Sequence, residues 1–121
     1  GGLDRRTFIS HAFLAAADSG VSLILDPYGG AINDVAPTAT AFAHRHARFS
    51  VQVFASGVVP SRVDRARRLI APFGHGAYPN YADPDLSSPL KAYYGGNLAR
   101  LRRVKAAYDP ADRFRPAQRI R

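Results

Sequence analysis

Apolar residues recur at helical spacing near the start of the chain, at Phe8, Ala12, Phe13 and Ala16, with Asp4 in an N-cap position before them and Ser19-Gly20 behind them. This predicts a helix over 4–18. Val21 to Leu25 is a short continuous apolar run closed by Asp26-Pro27, the pattern of a buried strand, and Gly29-Gly30 lets the backbone reverse. Residues 21–35 therefore read as strand, turn, strand. From Thr40 to Ser56 apolar and polar positions alternate, most cleanly where Phe49, Val51, Val53 and Ala55 fall on one face and Ser50, Gln52, Phe54 and Ser56 on the other.

The pattern changes period after residue 60. Ser61-Arg62-Val63-Asp64 resembles a capping box opening a helix to Ile70, with Val63, Ala66 and Ile70 inward, Arg62, Arg65 and Arg68 outward, and Pro72 and Gly74 as its stop. After an irregular stretch, Ser88-Pro89 starts a short helix and Gly95-Gly96 interrupts it. Asn97 stands where it would cap a further helix lined on one side by Leu98, Leu101, Val104 and Tyr108. Asp109-Pro110 ends that helix, and the tail from Ala111 to Arg121 is expected to be extended and docked through Phe114 and Ile120. The order of elements predicts an α+β fold, with antiparallel strands flanked by helices and no βαβ alternation.

Composition narrows the chemistry. With 121 residues and 46% apolar positions the chain is one globular domain at most, and without Cys it supplies no disulfide, thiolate ligand or thiol nucleophile. It does not begin with Met, carries no signal pattern and no apolar run long enough to span a bilayer, so it is expected to be a piece of a longer protein, cytoplasmic by default. Its basic residues are nearly all Arg and its acids all Asp, as in the products of a GC-rich, bacterial genome. The net charge of +8 sits in the half after residue 60. Solvated or domain-facing Arg helices explain this more economically than a nucleic-acid site.

Several constellations have residue types that can carry chemistry. His44 and His46 have a spacing that can hold a metal, but Arg45 and Arg48 crowd them with positive charge and no acidic partner is near in sequence, so no metal is expected. Asp83 and Asp85 flank Pro84, which reads as turn and cap chemistry rather than paired catalytic carboxylates. Gly74-His75-Gly76 begins like a dinucleotide fingerprint, but Pro79 stands at the third glycine and no strand precedes it. The aromatic segment 76–83 puts Tyr78, Asn80 and Tyr81 within four residues on irregular backbone, where they either present phenols and an amide to a ligand or plug the core. A phenol serves as a base where nearby positive charge favours its ionised form, and this half of the chain is rich in such charge.

The segment Tyr78-Pro79-Asn80-Tyr81-Ala82-Asp83-Pro84-Asp85-Leu86, followed by Tyr93-Tyr94-Gly95-Gly96-Asn97, Arg100-Leu101, Val104-Lys105 and Tyr108-Asp109-Pro110, resembles the C-terminal signature of the berberine-bridge-enzyme-like flavoproteins, roughly YxNYxDxDL, YYGxN and RLxxVKxxYDP. Phe114 and Gln118-Arg119-Ile120 approximate the family's closing FxxxQSI, with Arg119 in place of Ser. Upstream, Gly29-Gly30-Ala31, Ala41-Phe42-Ala43-His44-Arg45 and Val51-Gln52 are similar to the family's GGA, AFxHR and Q strands, while Gly57 stands where Trp is usual. The order of motifs is consistent over about residues 20–121.

The resemblance implies FAD-linked oxidases or dehydrogenases that pass a hydride from an alcohol, sugar or amine-type carbon to the flavin. It implies further that residues 1–75 are the end of the substrate-binding domain, that 76–121 are the segment returning to the cofactor, and that FAD is bound mainly by a domain absent from this chain. By the same resemblance Tyr78 and Gln52 are the catalytic candidates, with Tyr78 as base and Gln52, an amide where some relatives carry a carboxylate, as a hydrogen-bonding partner of substrate. Asn80 and Tyr81 are then the cofactor-facing residues. The expected partners are the flavin-binding domain or a complementing chain, a small-molecule substrate and further copies in a homo-oligomer, with neither nucleic acid nor membrane. The alternatives are a stand-alone basic interaction module, such as one that binds nucleic acid, or the inactive remnant of a truncated gene.

Overall fold

In the computed structural model, which describes residues 12–57 and 59–121, the alternation around residue 50 forms an antiparallel pair of strands, β1 (Ser22–Pro27) and β2 (Phe49–Phe54). Leu23 pairs with Val53, Ile24 with Gln52 and Leu25 with Val51. Side chains alternate across a strand, so Leu23, Leu25, Val51 and Val53 share one face while Ile24, Asp26, Ser50 and Gln52 share the other. The helices are α1 (Leu14–Ala17), α2 (Ala31–Asp34), α3 (Pro60–Ile70), α4 (Pro89–Tyr94) and α5 (Leu98–Tyr108). The fold is α+β, as the pattern of elements predicts.

These elements form two units, each discontinuous in sequence: Gly1–Tyr28 with Arg48–Gly74, and Gly29–Ala47 with His75–Arg121. The loop 29–47 therefore groups with the C-terminal segment rather than with the strands on either side of it. In the first unit the core is Ala16, Val21 and Ala66, packed by Leu23, Val53, Ala55, Val63, Leu69 and Ile70. Ala16 and Ala66 are wholly buried, and methyl side chains at both positions let α1 and α3 approach closely. Gly20, at φ +78°, ends the α1 turn in a conformation that glycine adopts without strain. Of the helix expected over 4–18, residues 4–11 lie outside the described residues.

Several expectations are corrected. The second strand expected within 21–35 is the short helix α2, because Gly30 turns the chain at φ +49° and the amides of Asn33 and Asp34 return to the Gly30 carbonyl. The alternation from Thr40 to Arg48 does not make strand either. Side chains there replace a ladder: Arg45 donates to the carbonyls of Ile32 and Phe42 and to the Thr40 hydroxyl, and the Asn33 amide donates to the carbonyls of Arg45 and Ala47 at 2.7 and 3.0 Å.

Helix α3 starts at Pro60 with Val59 as its N-cap residue and no side-chain cap, so the Ser61 box does not form; proline at N1 is sufficient. Asn97 does not cap α5. It is buried, and its amide donates to the carbonyls of Pro37 and Thr40 at 2.7 and 3.0 Å, tying the 36–48 loop to the start of that helix. Phe114 does not dock the tail, being 75% exposed, and Tyr108 is 87% exposed on the helix side expected to be covered. The tail is instead held by polar contacts of Gln118 and Arg119.

Candidate functional site

Tyr78, Asn80 and Tyr81 are brought together by one turn. The Tyr81 amide donates to the Tyr78 carbonyl at 3.1 Å, and Pro79 occupies the second position, where its fixed φ favours a β-turn. The turn sets the two tyrosine rings edge to face, with centroids 5.3 Å apart, and brings the Asn80 amide N–H to the Tyr78 phenol oxygen at 2.8 Å. Tyr78 is half-buried; Asn80 is exposed and Tyr81 is 53% exposed. The turn thus sets a half-buried ring beside an exposed ring and an exposed amide. Of the two readings that the sequence leaves open for this segment, plugging the core does not describe Asn80 and Tyr81.

Behind the turn stands an aromatic row. Phe42 lies edge-on to Tyr78 at 6.2 Å and to His44 at 5.7 Å, and the Arg45 guanidinium sits over the Phe42 ring at 4.9 Å. The His44 Nε2–H donates to the Tyr93 carbonyl at 3.1 Å, so this imidazole is a structural strut of the C-terminal unit, whereas His46 is exposed. Among the described residues no group of three metal-ligating side chains is found. The Asp83 carboxylate accepts the Asp85 amide at 2.9 Å, which is the turn chemistry expected of an Asx-Pro segment. His75, the other candidate base near this loop, is exposed.

Gln52 belongs to the first unit, half-buried at the centre of β2 opposite Ile24. On the same sheet face the Ser50 hydroxyl donates to Asp26 at 3.2 Å. Ile24 and Phe54, which share this face, are 42% and 49% exposed, so Gln52 sits on a polar and apolar surface open within its unit.

Sequence patterning did not find the polar groups that hold the loop and the tail. The Tyr93 hydroxyl, the Gln118 amide and the Asp83 backbone interlock, and Tyr93 is 3% exposed. In the last turn of α5, Lys105 pairs with Asp109 and with Asp112 (3.2 Å), and donates to the Phe114 carbonyl at 3.0 Å. Asp109 also accepts the amides of Arg113 and Phe114 at 2.7 and 3.1 Å. Arg119, where the family has Ser, pairs with Asp112 at 3.0 Å. The Lys-to-Asp spacing of four was the available signal for the first of these pairs.

The Lys105 ammonium first, and then the two backbone amides, hold the Asp109 carboxyl below its usual range, at about 2, and Asp109 in turn raises Lys105. Asp112 is lowered too, mainly by Lys105. A carboxyl whose value is depressed on folding contributes stability that is complete above its unfolded value and is lost as pH falls through the folded one; a raised lysine contributes below its unfolded value and loses it as pH rises through the folded one. The cluster is therefore expected to hold the tail fully between about pH 4 and about pH 10. Thermal melts should show the C-terminal unit losing stability between about pH 4 and pH 2, and Asp109→Asn should flatten that limb.

Residues 77–121 match the family described as berberine and berberine like. The chain is 41% identical over 100 residues to an uncharacterised FAD-linked oxidoreductase of Bacillus subtilis, covering 77% of this chain and 22% of that protein. It is 32% identical over 114 residues to a carbohydrate oxidase of Microdochium nivale, covering 80% and 23%. Among solved structures it is similar to a glycopeptide hexose oxidase complexed with teicoplanin, at 31% identity and a TM-score of 0.75, covering 93% of this chain and 29% of that one. The chain thus spans about a quarter of the length of the relatives it matches. In sequence and in fold this chain is similar to the C-terminal portion of the berberine-bridge-enzyme-like FAD-linked oxidoreductases, and its residues 77–121 match the berberine and berberine-like segment.

Proposed function

We propose that this chain is the C-terminal portion of an FAD-dependent oxidoreductase that oxidises an alcohol, sugar or amine-type carbon, with Tyr78 taking the substrate proton and Gln52 orienting the substrate by hydrogen bonding. The observation that carries the reading is the Tyr78–Tyr81 turn, in which a half-buried phenol is aimed by an amide and flanked by an exposed ring. The names of the relatives, a carbohydrate oxidase and a hexose oxidase among them, favour a sugar-like substrate.

The residues present fit an isoalloxazine: the exposed Tyr81 ring offers a face to a planar heterocycle, and the Asn80 amide offers hydrogen bonds to its amide-like edge. When bound, FAD supplies the hydride acceptor. This chain's share is to hold the Tyr78 oxygen in place through the Asn80 N–H and, as the phenolate, to accept the substrate's hydroxyl proton there. Apolar positions left open in both units support a covering flavin-binding domain, from the same polypeptide or a complementing chain. They are Val104, Tyr108 and Phe114 in one, and Ile24, Leu25 and Phe54 in the other.

The test is anaerobic mixing of the full-length protein with a panel of sugars, primary alcohols and amines. Bleaching of bound flavin by one of these classes is the expected result, and a purified protein that carries no flavin would reject the reading. In the same protein Gln52→Ala should raise KM about tenfold while kcat changes less than about twofold, because one substrate hydrogen bond is lost and the base is kept.

A further inference from the structure

The loop that carries Tyr78 is gripped at both ends by two consecutive residues of α4. At one end the Ala77 amide donates to the Ala92 carbonyl at 3.0 Å. At the other, three hydrogen bonds close a ring. The Asp83 amide donates to the Tyr93 phenol oxygen (2.8 Å), the Tyr93 hydroxyl donates to Gln118 Oε1 (2.8 Å), and Gln118 Nε2 donates to the Asp83 carbonyl (2.6 Å). Every bond in the ring runs in one sense. Tyr93 has a single proton, committed to Gln118, so its oxygen is left to accept from Asp83. Reversing the Gln118 amide would set oxygen against the Asp83 carbonyl and a second donor against Tyr93. One orientation satisfies all the groups.

We infer that Tyr93 and Gln118 are positioning residues for the Tyr78 phenol: through Asp83 they fix the far end of the 77–83 loop, so that the C-terminal tail sets where the proposed base stands. Neither residue need touch substrate. The inference rests on the proposed role of Tyr78. Its physical basis is that the turn bearing Tyr78, Asn80 and Tyr81 lies between the two anchors, and that buried, mutually satisfied polar groups admit one arrangement of the backbone they bind. Displacement of a reacting group by about an ångström costs up to about a hundredfold in rate.

The experiment compares Gln118→Glu, Tyr93→Phe and their double variant in the full-length protein. Gln118→Glu keeps an acceptor for Tyr93 but replaces the donor to Asp83 by an oxygen, and Tyr93→Phe removes the hydroxyl while keeping the buried ring. The expected result is flavin reduction slowed about tenfold to a hundredfold, with KM within about twofold and flavin content unchanged. The double variant should be no slower than the worse single one, because all three bonds form one ring. Amide hydrogen exchange should rise in 77–86 and stay unchanged in β2.

Unchanged exchange in 77–86, or strictly additive losses, would overturn the latch. Raised exchange with a full reduction rate would also overturn it. In that case Tyr78→Phe run in parallel separates the two readings: if it too is fast, Tyr78 is not the base, whereas if it is slow, the positioning role alone is lost.

Discussion

Replacing Tyr78 with Phe is expected to slow reduction of the bound flavin by about two to four orders of magnitude while leaving flavin binding and folding intact. Loss of a hydride from a carbinol carbon leaves a protonated carbonyl unless a base takes the hydroxyl proton as the C–H bond breaks. On the proposed reading that base is Tyr78, whose phenol oxygen accepts the Asn80 N–H at 2.8 Å. The substitution removes one oxygen and keeps the ring that meets Phe42 at 6.2 Å and Tyr81 at 5.3 Å, so packing behind the site is preserved. Anaerobic stopped-flow reduction by substrate measures the effect. A variant that reduces its flavin at the wild-type rate would remove Tyr78 from the mechanism and turn attention to the exposed His75 or to a residue outside this chain.

The largest expected effect on stability is at Gly76. A Cβ built there would stand 2.2 Å from Cε1 and 2.8 Å from Nδ1 of His44, and 2.8 Å from the Ala92 carbonyl oxygen. None of these can move freely, since His44 is tied to the Tyr93 carbonyl and packed on Phe42, and Ala92 belongs to α4 and accepts the Ala77 amide. Gly76→Ala is therefore expected to cost roughly 3 kcal/mol through overpacking, seen as a lower melting temperature, and to reduce activity by shifting the start of the 77–83 loop. Gly96→Ala is the control. Nothing lies within 4 Å of its Cβ position, and its melting temperature should scarcely change. Equal melting temperatures for the two variants would contradict the packing described here.

The legible part of the fold was the part with a clear period and an apolar face. β2 was readable because Val51 and Val53 alternate with Ser50 and Gln52 and find β1 opposite, and α3 because Val63, Ala66 and Ile70 recur at helical spacing over the first unit's core. The loop 36–48 alternates almost as well, yet it is irregular. Its carbonyls are taken by Asn33 and Asn97, and Arg45 bonds to Phe42 within it and to Ile32 just before it. Alternation tells which face a side chain would take, not whether a second strand will be there to pair with. Asn97 shows the same limit: a residue ideally placed to cap α5 turns its amide to carbonyls about sixty positions away in the chain.

The site divides in the same way. Local sequence by itself determined the Tyr78–Tyr81 turn, because Pro79 pre-sets the backbone and the contacts between Tyr78, Asn80 and Tyr81 span three residues at most. It also determined the α+β class, which follows from the order of elements, and the resemblance to a known family, which rests on the motifs between residues 20 and 121. Tertiary structure alone decided what aims that turn. His44 beneath Gly76, Phe42 against Tyr78, and Gln118 closing the ring with Tyr93 and Asp83 join positions 25 to 36 residues apart, and it left Phe114 exposed while Gln118 and Arg119 hold the tail. The physical reason is that a hydrogen bond between distant residues depends on where packing brings their backbones, and no period in the sequence encodes that position.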